Sequence, residues 1–280
     1  MKKKLFVLIF AVVSLIGLTA FRTSILGNCI DCFNGFFNPG YGYMRIVFAV
    51  VLAVVLAVIA VVVFTDKEYP GSPRRSSKVI AVTNLGYALF IVVDSFTLYK
   101  KGDSVWGYIH LVLFLLLAAF MVYYAICMFT YKKASVLLSI VPLVYFVYRL
   151  CYVFINSFGI IKSSEITLKI VALIFCVLFF EFYARYVSKN NFKRIRTVTL
   201  LAGIGLCITC VIASLPDLIA PIIYSDVTSR ISISESTFLI ATAVYTAIFL
   251  IASYSKKELY SSYNKDKENV DEIVSETIDI

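Results

Sequence analysis

Apolar residues in this chain run in long blocks broken by short polar stretches, and eight of these blocks are about 17 to 25 residues long. At about 1.5 Å per residue, a block of that length crosses a hydrocarbon core of roughly 30 Å as one helix. The pattern predicts membrane helices at 5–21, 44–64, 79–99, 107–130, 135–157, 166–187, 197–218 and 237–254. Their connections are mostly short, so consecutive helices are expected to pack as antiparallel hairpins in one all-α, polytopic bundle. The first block, MKKKLFVLIFAVVSLIGLTA, also has the basic start and apolar run of a secretory signal. Its run is long for a signal, and Leu18-Thr19-Ala20 lacks a small residue at the upstream position, so a retained helix is expected. Cleavage would leave seven helices in the same orientation.

Composition agrees with the pattern. The 280 residues are 61% hydrophobic and 15% charged, and the mean hydropathy is +0.90. These values place the chain outside the soluble globular range. An integral membrane protein of a bacterial cytoplasmic membrane is expected. Positive residues near helix ends are retained on the cytoplasmic side. With the N-terminus inside, 18 of the 26 Lys and Arg fall on the inner side, 7 on the outer side, and Arg149 remains within a helix. The pattern therefore predicts both termini inside. This distribution also accounts for the net charge of +9, and no basic run is interleaved with stacking aromatics as a nucleic-acid groove requires.

Four segments are expected to stand outside the bundle, among them a long outer loop from Leu215 to Thr237 with two prolines and an apolar middle suited to the membrane interface. The outer loop NCIDCFNGFFNPGYGY is rich in turn formers. The basic inner loop DKEYPGSPRRSSK would be drawn to an anionic lipid surface. The tail 255–280 carries four lysines and seven acids, and its low apolar content predicts a disordered cytoplasmic segment.

The polar residues inside the blocks carry the candidate chemistry. An ionisable group near the bilayer centre costs on the order of 2.5–3.5 kcal/mol, so it faces the bundle interior and finds a partner. Arg149 and Asp94 each lie sixteen residues past the last inner lysine of their helix, Lys133 and Lys78. Both then sit roughly 24 Å along, which makes Asp94 the leading partner for Arg149. Tyr145, Tyr148, Arg149, Tyr152 and Asn156 follow at steps of three and four and form a polar stripe on the fifth helix. Pro142 stands one turn below and frees the carbonyl of Leu138, a device that bends membrane helices. The seventh helix has a stripe of its own, Thr199, Gly203, Cys207, Cys210, Ser214 and Asp217, whose lower part suits close packing. Glu181 and Arg185 form an i,i+4 pair with the acid first, the favourable order. His110, the one histidine, lies near the outer end of the fourth helix.

Two functional classes follow from these residues. In the first, Asp94, Arg149, Tyr145, Tyr148, Tyr152 and Asp217 line an outward polar cavity for a small solute or ion. There Arg149 attracts an anionic group, Asp94 holds Arg149 in place, and the tyrosines supply hydrogen bonds. In the second, the charges only neutralise one another, and the protein is a sensor, assembly or partner protein acting through its outer loops or tail. A third class, a membrane thiol–disulfide oxidoreductase, draws on the C-x-x-C spacing of Cys29 and Cys32 and its repeat at Cys207 and Cys210. Against it, Cys suits helix seams as a small apolar residue. No phosphate-cradling, metalloprotease or nucleophile-elbow motif is present in the sequence. No cofactor, metal set or catalytic residue is called, and an enzyme is not expected.

Overall fold

The computed structural model describes residues 2–30, 37–65, 78–99, 105–130, 134–156, 164–187, 195–224 and 233–254. Cys32, the inner-loop residues 66–77 and the tail 255–280 lie outside the described residues. Those described are 93% helical with no strand. The helices are α1 (Lys2–Asn28), α2 (Tyr43–Thr65), α3 (Lys78–Tyr99), α4 (Val105–Phe129), α5 (Val141–Asn156), α6 (Ser164–Val187), α7 (Ile195–Ile223) and α8 (Ile233–Tyr254). All eight contain a stretch long and apolar enough to cross a membrane. The chain is an all-α polytopic bundle.

Helix packing gives the bundle an inside. α3 packs on α4, α4 on α5, α5 on α6, α6 on α7, α7 on α8, and α8 returns to α3. Six helices thus close a ring. α1 and α2 stand outside it, α1 packed mainly on α7 and α2 on both. The end where odd-numbered helices finish and even-numbered helices begin is called the upper end below.

The core of the ring is aromatic. Phe114, Tyr145, Phe146, Phe179, Phe180, Tyr183, Phe238, Tyr245 and Phe249 are each at most 2% exposed. They pack ring against ring, Phe146 on Phe180 at 4.7 Å and Tyr87 on Tyr245 at 4.8 Å between centroids. Lipid tails are as apolar as these side chains, so burial from water does not hold the helices together; close packing and hydrogen bonds do. Such bonds cross the core between Tyr87 and Thr242 at 2.8 Å, from Tyr245 Oη to Asn84 Oδ1 at 3.0 Å, and between the Tyr245 and Tyr183 hydroxyls at 3.3 Å. The outward face carries Val50, Val54, Leu89, Val112, Ile155 and Ile251, all exposed, as a lipid-facing surface requires.

Four helices differ from the sequence pattern by four residues or more at one end, α8 by opening at Ile233 ahead of the expected 237. α1 runs on to Asn28, past Arg22, because that arginine is buried at 3% exposure rather than hydrated at a helix end. α7 continues through Pro216 and Pro221 to Ile223, since a bundle can satisfy the backbone groups a proline frees. The fifth block opens with a 3-10 turn, Leu138–Ile140, before α5. Pro142 therefore stands at the start of α5, where its missing N–H costs little. The Leu138 carbonyl it cannot reach accepts the Val141 N–H instead.

The lower part of the α7 stripe is a packing seam. A Cβ added at Gly205 would lie 2.4 Å from the Phe175 ring, and one at Gly203 2.8 Å from Leu250. Gly205→Val is expected to cost roughly 1–3 kcal/mol by forcing α6 from α7. Gly86→Ala, where nothing lies within 4 Å, is expected to be neutral or mildly stabilising. Thermal unfolding of the two variants in one detergent checks the contrast.

Candidate polar site at the upper end of the ring

Five helices deliver charged or polar side chains to one point above the aromatic core. Arg149 donates through Nη2 to Glu235 Oε1 at 2.5 Å and through Nη1 to His110 Nε2 at 2.6 Å. Lys169 Nζ meets the other oxygen, Glu235 Oε2, at 2.5 Å. Asp94 accepts a hydrogen bond from Ser234 Oγ at 2.6 Å and lies within electrostatic reach of Arg149. The Arg149, Lys169 and Glu235 side chains are only 12–17% exposed. Asp94 and His110 are buried.

Local structure explains each placement. Glu235 opens α8, where the positive end of the helix dipole favours an acid. On α5, Arg149 is one turn past Tyr145, which is fully buried, so the arginine continues the inward face. Its guanidinium lies 5.7 Å from the centroid of the Phe238 ring, a cation–π contact. On α4, His110 precedes Phe114 by one turn and stacks on it at 5.7 Å. A guanidinium only donates, so His110 Nε2 must accept and the proton sits on Nδ1. That Nδ1 is buried and has no hydrogen-bond partner among the described residues. The Tyr145 hydroxyl is also buried and approaches the Arg149 guanidinium short of full hydrogen-bond geometry.

The residues expected from sequence separate into several places. Arg149, Asp94 and Tyr145 come together in this cluster. Glu235 is the carboxylate that bridges Arg149 to Lys169. Tyr148 donates instead to the Trp106 carbonyl at 3.0 Å, along the α4–α5 groove. Tyr152 is 38% exposed on the outward face. Asp217 belongs to a second charged group with Arg22 and Glu165, where α1 meets α7 outside the ring. Glu165 and Lys169 are one turn apart on α6, so that turn touches both groups.

Neither Glu235 nor Lys169 stood out in the sequence. The hydropathy of ISISESTF puts Glu235 just ahead of the eighth block, and Lys169 reads as an outer flanking charge. The signal available was the Ser-Glu pair at a helix start, placed where an acid caps a buried helix end. At the other end, Arg185 donates to Glu181 at 2.6 Å on a half-exposed face.

The cysteines take a different pairing from their spacing. Cys210 lies 3.7 Å from Cys176 across the α6–α7 seam, while the Cys207 thiol points to the Ala243 carbonyl of α8 at 3.4 Å. Residues three apart on a helix are neighbours on one face, yet each of these thiols makes its contact with a facing helix. The partner of Cys29, Cys32, lies outside the described residues. Among the described residues no group of three or more His, Cys, Asp or Glu could hold a metal ion. In comparison with known proteins, the chain matches no family model, no curated protein and no solved structure.

Proposed function

We propose that this multi-pass membrane protein captures a small solute through an anionic group, at the upper end of the α3–α8 ring. One observation carries the reading: two cations on separate helices, Arg149 and Lys169, meet on the two oxygens of a single carboxylate. That is how a carboxylate is recognised, and Glu235 now stands where a ligand's anionic group would go. An incoming carboxylate exchanges with Glu235 and keeps both cations paired.

With the N-terminus in the cytoplasm, as the distribution of Lys and Arg favours, the upper end faces outward and the site samples the outside medium. Below it the aromatic side chains fill the ring, which argues against an open channel. Translocation would need Phe146 and Phe238 to part; a sensor would need only a shift among the upper helix ends. Deleting residues 255–280 separates these two outcomes, because a transporter tolerates the loss and a partner protein that signals through the tail does not.

The test is thermal unfolding of the detergent-purified chain against amino acids, organic acids, inorganic ions and lipids, with Arg149→Ala in parallel. A compound that raises the wild-type unfolding temperature and leaves the variant unmoved is the expected result. The proposal fails if no compound shifts the wild type and the variant is only less stable. The cluster would then be a structural ion pair.

A further inference from the structure

On the premise that the Arg149 cluster binds a ligand, we infer that the ligand is a zwitterion of the α-amino acid class. Its carboxylate would lie on Arg149 and Lys169 and its ammonium against Asp94. Both signs of charge converge on the first turn of α8. Ser234 is bonded to Asp94 of α3. Its neighbour Glu235 is bonded to Arg149 of α5 and Lys169 of α6, and Asp94 lies within electrostatic reach of Arg149. An α-amino acid presents its ammonium and carboxylate from a single carbon, which suits acids and cations brought this close together.

Charge decides against the simpler ligands. Arg149, Lys169, Asp94 and Glu235 together carry no net charge. A plain anion would add a charge to this water-poor site beside two carboxylates, and a plain cation would do so beside Arg149 and Lys169. Burying an uncompensated charge is the costly case. A zwitterion adds no net charge and matches both signs. When its carboxylate takes the place of Glu235 on the cations, Glu235 becomes a second acid, next to Asp94, for the ammonium.

A second observation points to a ligand independently of the charges. His110 Nδ1 is buried and has no hydrogen-bond partner among the described residues, and the fully buried Tyr145 hydroxyl reaches the Arg149 guanidinium short of full hydrogen-bond geometry. Buried polar groups are nearly always partnered. The hydroxyl lies within electrostatic reach of Arg149, Glu235 and Asp94, where it can accept from an ammonium or donate to a carboxylate.

The experiment is binding to the full chain in detergent, by calorimetry or thermal shift, of each of the twenty common amino acids. Each binding amino acid is compared with its deaminated acid and decarboxylated amine: alanine with propionate and ethylamine, phenylalanine with 3-phenylpropionate and phenethylamine. At least one amino acid is expected to bind ten-fold or more tighter than both of its analogues. Asp94→Asn is expected to weaken that amino acid ten-fold or more while leaving the acid analogue unchanged, and Arg149→Gln to weaken both. Tyr145→Phe removes a hydroxyl that reaches only the Arg149 guanidinium, short of full hydrogen-bond geometry, so it is expected to move the unfolding temperature little while weakening the amino acid several-fold. A purely structural hydroxyl would not move the affinity. An acid analogue binding as tightly as its amino acid overturns the zwitterion and leaves the anion site standing. No binding by any probe, or wild-type affinity in Arg149→Gln, overturns both.

Discussion

Glu235→Gln is expected to lower the unfolding temperature more than any other single substitution at the upper end. The amide keeps the shape of the side chain but withdraws the one carboxylate that Arg149 and Lys169 share at 2.5 Å each. Two cations, both at most 14% exposed, are then left side by side. Breaking a buried pair from one side costs about 3–5 kcal/mol. The residual exposure argues for the lower figure, about 3 kcal/mol, or roughly 5–10 °C for a chain of this size. Arg149→Met should cost less, because Glu235 keeps Lys169. Lys169→Met should also cost less, because Glu235 keeps Arg149. The order Glu235→Gln first, either cation second, distinguishes a shared carboxylate from two independent pairs, and thermal unfolding of the three variants reads it directly.

Phe238→Ala should have the next largest effect, for a different reason. Phe238 is 2% exposed and packs on Phe114 at 5.3 Å, Tyr145 at 5.9 Å and Phe146 at 6.0 Å between ring centroids. It also carries the Arg149 guanidinium on its face. Truncation leaves a void under the charged cluster that neighbouring rings fill only partly. In water such a change costs about 3–5 kcal/mol. Within a bilayer the lost packing contacts supply the cost, since transfer from water is absent, and about 3 kcal/mol is expected. Unlike Glu235→Gln, this variant retains its charges, so under the proposed function it is expected to keep ligand binding, more weakly because the floor beneath Arg149 has softened. Unfolding temperature and affinity measured on one preparation check both halves of the statement.

The bundle was legible because each helix announces itself by length and apolarity, and those are properties of one segment at a time. Arg149 was legible for the same reason: a guanidinium within an apolar block must face inward. Its carboxylate partner was not, because partnership depends on which helices are neighbours. The ring closes α3 against α8, and hydropathy carries no record of that closure. Depth counting put Asp94 level with Arg149, and Asp94 lies within electrostatic reach of that arginine, yet depth leaves the direction around the bundle open. Asp217 shows the consequence. It lies on the α7 stripe as read, but that face of α7 looks toward Arg22 of α1, and the residue joins a separate group. The Cys207 and Cys210 spacing is silent in a related way, since the close contact of Cys210 is Cys176 on the next helix, a contact across the helix seam. Glu235 was set among loop residues because a polar first turn lowers local hydropathy without ending the helix.

The most direct test of the central claim is to remove the charges without removing the fold. In the triple variant Arg149→Met, Lys169→Met, Glu235→Leu, apolar side chains replace all three members of the shared ion pair, a change that often leaves stability unaltered or improved. The measurement is binding of the twenty amino acids to this variant by calorimetry, with its unfolding temperature recorded on the same sample. A stable triple variant that binds none of the compounds the wild type binds is the predicted result. A stable triple variant that keeps wild-type affinity would contradict the account and reduce the cluster to a device that sets helix register.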